Sequence, residues 1–132
     1  MKWFLKALKH YADFSGRARR KEFWMFVLFY MIFCYVTMAL DKGLGINFKV
    51  STGQSLPYGW FYTLYSLMLL IPSLAVYVRR MHDIGKSGWN ILFGLLPLIG
   101  VIILLYWCCR DSQAGENKWG TNPKEQLESE TN

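Results

Sequence analysis

The sequence predicts an all-α integral membrane protein: an amphipathic interfacial N-terminal helix, three transmembrane helices and a short polar C-terminal tail, in a single domain over 1–132. Three observations support this class. Residues 89–109 are 21 positions without a charge, and a helix of that length covers roughly 31 Å, about the thickness of a hydrocarbon core. Residues 23–40 form another uncharged run, of 18 positions. The chain is 53% hydrophobic and 18% charged, and the two kinds of residue lie in separate blocks.

The segment 2–14 is predicted to be a helix lying in the membrane interface. At 100° per residue its aromatic and small apolar residues share one broad face, and its lysines lie on the other. A helix with lysines opposite aromatics lies along the membrane surface and does not cross it. Lys6 and Lys9 interrupt the apolar run that a cleaved signal would need.

Four cations precede the first predicted transmembrane span at 23–40: Arg17, Arg19, Arg20 and Lys21. Cations at a helix start oppose the helix dipole, at a cost of about 0.3–1 kcal/mol each. Attraction to anionic headgroups contributes about 1 kcal/mol for each Lys or Arg near the surface. Because the attraction is the larger effect, these residues are predicted to anchor the helix at the membrane, or to bind anionic lipid or a protein partner.

The second span is predicted at 60–78, after a loop over 41–59 that is rich in glycine and proline. Pro72 falls inside this span and predicts a kink, because proline removes one backbone hydrogen bond of the helix.

The third span is predicted at 89–109. Gly94, Pro97 and Gly100 recur within it every three residues, a pattern that either interrupts the helix or lets another helix approach closely. A re-entrant hairpin around Pro97 is the alternative, in which each arm has only about ten residues and is too short to cross.

The polar turn at 79–88, RRMHDIGKSG, is the second candidate binding segment. One hypothesis is that its charged residues bind anionic headgroups or a partner; these are Arg79, Arg80, His82, Asp83 and Lys86. The alternative is a structural turn, in which Asp83 caps, Gly85 adopts a left-handed conformation and Ser87 caps the third span, with Gly88 closing the turn.

Known chemical motifs do not account for this turn. Gly85-Lys86-Ser87 resembles the end of a phosphate-binding loop, but the position of the first glycine is Arg80 and a membrane helix precedes it. His82 and Asp83 lack further metal ligands, since the other histidine, His10, is distant in sequence. We therefore predict no catalytic residue, no metal and no cofactor. Nucleic acid is not an expected partner, because the basic residues flank lipid-length apolar runs.

The distribution of Lys and Arg predicts a topology. The N-terminal segment has seven and the 79–88 turn three, whereas the 41–59 loop has two and the tail three. With three spans the positive-inside rule places the N-terminus and the turn in the cytoplasm and the tail outside. A fourth crossing would move the tail inside. The tail, 110–132, is polar, and we expect it to be disordered after residue 123.

Three ordered motifs carry a resemblance to a known family: FSGRARRKEFWMF at 14–26, RRMHDIGKSGWNILFGLLPLIG at 79–100 and GENKWGTNP at 115–123. Together they resemble domain-of-unknown-function family 805, the YhaH/YhaI-like bacterial inner-membrane proteins, over residues 3 to 123. Trp119 and Asn122 depart from the usual Phe and Asp of the last motif. The resemblance implies a multi-pass protein of the bacterial inner membrane, and it implies no activity.

The sequence thus favours a non-enzymatic inner-membrane protein that contacts anionic phospholipid or a membrane-protein partner through its basic cytoplasmic segments. An oligomeric channel or transporter component is a second hypothesis, in which transport requires a homo-oligomer because three spans cannot line a pore alone. A membrane enzyme acting on a lipid-linked substrate is the third hypothesis.

Overall fold

Helices make up most of the computed structural model, which describes residues 2–131; the side chains of 2, 3, 127, 128, 130 and 131 lie outside this description. The elements in chain order are α1 (Lys2–Lys9), α2 (Arg20–Gly43), β1 (Asn47–Lys49), β2 (Ser55–Gly59), α3 (Trp60–Asp83), a 3₁₀ helix (Gly88–Leu95), α4 (Ile99–Cys109) and α5 (Pro123–Thr131).

The helices α2 and α3 are long and apolar enough to cross a membrane, and they contain the predicted spans 23–40 and 60–78. Each has 24 residues, or roughly 36 Å at 1.5 Å per residue. Only 11% of the apolar stretch of α2 and 22% of that of α3 is buried inside the molecule. The two helices pack against each other through rings such as Tyr30 and Tyr65, whose centroids lie 5.7 Å apart, and their other apolar faces are exposed.

The first helix is shorter than predicted: it ends at Lys9 and not at residue 14. The carboxylate of Asp13 accepts a hydrogen bond from the backbone N–H of Ser15 at 3.0 Å, and such local bonds compete with helix continuation. Phe4 and Ala7 are buried, and the ring of Phe4 lies 5.5 Å from that of Phe26 in α2. The apolar face of α1 therefore packs on α2.

The segment predicted as a loop over 41–59 instead contains an antiparallel hairpin, in which Asn47 lies opposite Gly59 in β1 and β2. Asp41 joins this hairpin to both long helices. Its fully buried carboxylate accepts hydrogen bonds from the N–H groups of Gly59 at 2.8 Å, Phe61 at 3.0 Å and Tyr62 at 3.0 Å. A side chain near the end of α2 thus caps the start of α3, which leaves no free carboxylate at this end.

The prediction of a continuous third helix over 89–109 is wrong. The 3₁₀ helix and α4 run antiparallel as a hairpin, with the rings of Phe93 and Trp107 5.3 Å apart. At its tip Leu98 has φ 63° and ψ −67°, and Ile99 N–H donates to the carbonyl of Pro97 at 2.8 Å, which is a γ-turn. With 11 residues, α4 covers only about 17 Å. The chain therefore reverses next to Pro97 and forms two short arms, as the hairpin alternative requires, and we call these two arms the re-entrant hairpin.

The tail is also ordered differently from the prediction. Residues 123–131 form α5 where disorder was expected, because Asn122 caps the helix by accepting from Lys124 N–H at 3.0 Å and Pro123 occupies the first helical position. The N–H of Gln113 donates to the carbonyl of Asp83 at 2.8 Å. The tail thus begins at the same end of the molecule as the 79–88 turn, whereas three crossings would separate the two.

Candidate lipid- and partner-binding site

Three segments that are distant in sequence meet at one end of the molecule, which we call the basic end: residues 16–22, the last turn of α3, and residues 108–120. The first two are joined by a backbone hydrogen bond from Ala18 N–H to the carbonyl of Arg79 at 2.9 Å. The third reaches α3 through Gln113 and Asp83. Both candidate binding segments of the sequence therefore lie together.

Asp83 is the centre of a buried ion-pair cluster. Its carboxylate is fully buried, and it accepts hydrogen bonds from Arg17 Nε at 3.2 Å, from Ser112 Oγ at 2.7 Å and from Arg80 Nη1. A buried carboxylate stays charged only when such partners replace the water that it has lost. One acid thus neutralises part of the charge of two buried guanidinium groups.

The two guanidinium groups complete their hydrogen bonds with backbone carbonyls. Arg17 Nη1 donates to the carbonyl of Gly115 at 2.7 Å, which fastens the tail to the start of the chain. Arg80 Nε donates to the carbonyl of Cys108 at 3.3 Å, and its Nη2 donates to that of Arg110. Cations stabilise the partial negative charge at the C-terminal end of a helix, so Arg80 secures the base of the re-entrant hairpin at the end of α4.

A second buried acid, Glu22, connects three helices. Its carboxylate lies 3.0 Å from Arg79 Nη1 of α3 and 3.1 Å from Lys6 Nζ of α1. Because Glu22 belongs to the first turn of α2, these two ion pairs hold α1, α2 and α3 together at the basic end.

Five of the nine proposed binding residues are therefore internal. Arg17, Arg79, Arg80 and Asp83 are at most 8% exposed and take part in the contacts described above. His82 is also buried: its ring stacks on Trp119 with centroids 4.3 Å apart, and its Nδ1 lies 3.2 Å from the carbonyl oxygen of Gly16. These side chains shape the basic end from within, so the surface charge comes from other residues.

Three of the four remaining candidates line an open cleft of about 200 Å³ between the start of α2 and α5, which we call the basic cleft. The residues lining it are Arg19, Arg20, Lys21, Asp111 and Lys124. Arg20 and Lys21 are exposed. A hydrogen bond from Lys124 lowers the pKa of the Asp111 carboxyl, which is therefore ionised at neutral pH. Four cations thus face one carboxylate. Sequence reasoning missed Lys124, whose closeness to α2 depends on the fold of the tail.

The rest of the 79–88 turn, residues 84–88, leads from α3 into the re-entrant hairpin. Gly85 has a positive φ of 76°, and Ser87 Oγ accepts from Trp89 N–H at 3.4 Å at the start of the 3₁₀ helix. At Gly88 a Cβ would lie 2.7 Å from a methyl of Val78, so α3 approaches the turn closely. Lys86 Nζ lies 4.4 Å from the centre of the Trp107 ring, apart from the basic cleft.

Comparison with known proteins identifies the family. Residues 11–121 match the model of DUF805, a family described as proteins of unknown function. The chain belongs to this family. It is 43% identical to the inner membrane protein YhaH of Escherichia coli K12 over 94% of this chain and 98% of that protein. It is 41% identical to the inner membrane protein YhaI of the same organism over 94% and 97%. No solved structure matches the chain.

These relatives confirm two predictions from the sequence, the family and the membrane nature of the chain. The relatives are inner membrane proteins, and α2 and α3 supply two helices of membrane-spanning length. The largely exposed apolar faces of these helices are thus surfaces for lipid.

Proposed function

We propose that this protein is a non-enzymatic inner-membrane protein that binds anionic phospholipid of the cytoplasmic leaflet through its basic cleft. The observation that carries the proposal is the gathering of charge at the basic end. Thirteen of the fifteen Lys and Arg residues belong to the N-terminal segment, the 79–88 turn and the tail; only Lys42 and Lys49 belong to the other end. Such an asymmetry favours a cytoplasmic basic end under the positive-inside rule.

This proposal includes a topology. The helices α2 and α3 cross the membrane, both termini lie in the cytoplasm, and the re-entrant hairpin enters from the cytoplasmic side and returns to it. Moving the tail to the basic end raises the predicted excess of cytoplasmic Lys and Arg from ten against five to thirteen against two. The chain therefore follows the rule more closely with two crossings than with three.

The buried ion pairs support a binding role for the cleft by fixing its shape. Glu22 holds the first turn of α2, which carries Arg20 and Lys21, against α1 and α3. Arg17 holds the tail, which carries Lys124, against α3. Cations on a rigid frame lose little conformational entropy on binding, so more of their attraction to a phosphate group is retained.

Removing two cleft cations is expected to weaken the binding of anionic lipid. Arg20→Ala/Lys21→Ala should lower the affinity for phosphatidylglycerol roughly 30-fold, because each cation near the surface contributes about 1 kcal/mol. Native mass spectrometry of the detergent-solubilised protein measures this affinity. Phosphatidylcholine with the same acyl chains, which has no net charge, should bind wild type and variant alike.

The matched control is Lys9→Ala/Lys118→Ala, which removes the same charge from exposed positions of α1 and of the tail, outside the cleft. We expect this control to lose no more than a few-fold in affinity. Equal losses of affinity in both double variants would contradict binding at the cleft. They would mean that the lipid responds only to the total surface charge.

Reporter fusions at residue 132 test the topology. A C-terminal green fluorescent protein should be fluorescent, and a C-terminal alkaline phosphatase should be inactive, because the former folds in the cytoplasm and the latter outside it. Fusions at residue 52, in the turn of the β-hairpin, should give the opposite pair of results. An active phosphatase at residue 132 would disprove two crossings.

A further inference from the structure

We propose a second lipid site, at the end of the molecule opposite the basic end: a groove that takes one anionic phospholipid of the outer leaflet, with its headgroup on Lys42 and Lys49 and an acyl chain along α2. The groove lies between the C-terminal half of α2 and the β-hairpin and encloses about 740 Å³. This volume falls within the range of about 300–1,000 Å³ that is typical of ligand sites. The proposal that this groove binds a lipid requires only that the protein lies in a membrane. The assignment to the outer leaflet also requires the topology proposed above.

One wall of the groove is a single face of α2. Tyr35, Met38, Ala39 and Lys42 line it, at the spacing i, i+3, i+4 and i+7 that places residues on one side of a helix. From Tyr35 to Lys42 the helix rises about 10 Å. Three apolar side chains of the wall thus lie inside the span, and a cation follows in the last turn of α2. A phospholipid has the same order, an apolar acyl chain followed by a charged headgroup.

The opposite wall is the β-hairpin, which contributes Asn47 and Lys49. Asn47 Nδ2 donates to the carbonyl of Leu56 at 2.8 Å, across the two strands, and this bond fixes the width of the hairpin. Lys49 is exposed and lines the same cavity as Lys42. Two cations on different elements therefore border one opening.

Charge complementarity identifies the occupant as anionic. Lys42 and Lys49 are the only Lys or Arg residues of 41–59, and Asp41 is the only acid there. The Asp41 carboxylate is buried and occupied by the amides that it caps. Within residues 2–131, as far as side chains are described, neither lysine lies in an ion pair. The groove thus joins two unpaired cations to an apolar wall, which suits an anionic headgroup with an attached acyl chain.

Two kinds of variant separate a groove from surface charge. Lys42→Gln/Lys49→Gln removes both cations, and it should lower the affinity for phosphatidylglycerol at least 10-fold. Ala39→Trp keeps both cations and fills the apolar wall, and it should give a loss of similar size. Met68→Trp is the matched control: Met68 is 76% exposed on α3, outside the groove, and its replacement should leave the affinity unchanged. Native mass spectrometry with phosphatidylglycerol measures all four proteins.

The groove variants are measured in the Arg20→Ala/Lys21→Ala background and the cleft variants in the Lys42→Gln/Lys49→Gln background, because an intact site at one end of the molecule would mask a loss of binding at the other. Glycerol 3-phosphate at millimolar concentration should not displace the lipid, since it lacks the acyl chain. Displacement would overturn the proposal in favour of a site for free phosphate esters. A loss with the lysine variant but none with Ala39→Trp would overturn it in favour of surface charge, and no loss with either variant would overturn it outright.

Discussion

Replacing Asp83 with Asn is expected to reduce the free energy of unfolding by about 3–5 kcal/mol, the usual cost of breaking a buried ion pair by removing one partner. The reason is that Arg17 and Arg80 would keep their charges in the interior and lose the carboxylate between them. Folded proteins are stable by only about 5–15 kcal/mol, so much of the stability would be lost. Unfolding in mixed detergent micelles, followed by circular dichroism, measures the change.

Asp111→Asn provides the control for this prediction. It also removes one carboxylate from the basic end, but Asp111 is exposed and pairs with Lys124 at the surface, and such pairs contribute about 0–1 kcal/mol. In the Asp83 variant, limited proteolysis should also cut within residues 112–122, because Ser112 and Arg17 lose a shared anchor. Similar stabilities for the two variants would mean that the buried cluster does not hold the basic end together.

Gly100→Ala is expected to open the re-entrant hairpin. A Cβ at this position would overlap the carbonyl oxygen of Phe93 in the facing arm, and a backbone atom cannot move aside as a side chain can. Forcing extra volume into a packed site costs about 1–3 kcal/mol and sometimes more; here we expect the upper end of that range. Opening should also shift α4 on α3, against which Cys108 is buried: this residue is only 2% exposed, and its carbonyl accepts from Arg80.

Maleimide labelling of Cys108, in a Cys34→Ser/Cys109→Ser background, measures this opening. Gly94→Ala is the matched control, because a Cβ there would meet only the end of the Leu104 side chain, at 3.3 Å, which can turn away. Labelling should be at least 10-fold faster in the Gly100 variant than in the Gly94 variant. If both label at the wild-type rate, the two arms do not pack as described.

The two long helices could be predicted from the sequence because insertion into lipid depends on local composition. The uncharged runs at 23–40 and 60–78 are sufficient to indicate α2 and α3, whichever residues they contact. The break in the third uncharged run, at 89–109, could be predicted only in part. Gly94, Pro97 and Gly100 indicate either an interruption or a close approach, and the reversal depends on a positive φ at Leu98, which a leucine in the sequence does not reveal.

The candidate site was harder to predict, because its contacts are long-range. Arg17 lies 66 residues from Asp83 and 98 from Gly115, so no local pattern shows which acid neutralises which cation. Without partners a charged residue belongs at the surface, and that assumption led to the interpretation of Arg17, Arg79 and Arg80 as residues that bind anionic headgroups or a partner. The sequence could locate the charge of the basic end, but it could not separate the internal cations from the exposed ones.

The cap that Asp41 forms on α3 has a consequence for biogenesis. When α2 has just emerged from the insertion machinery, residues 59–62 have not yet followed, and the Asp41 carboxylate at its trailing end lacks the backbone N–H groups that donate to it in the folded protein. It must then remain hydrated outside the lipid until the next helix arrives. The two helices accordingly reach their final depth in the bilayer together. In a chain truncated before residue 59, the C-terminal end of α2 would stay in the aqueous interface, because its carboxylate would have no amides to bind.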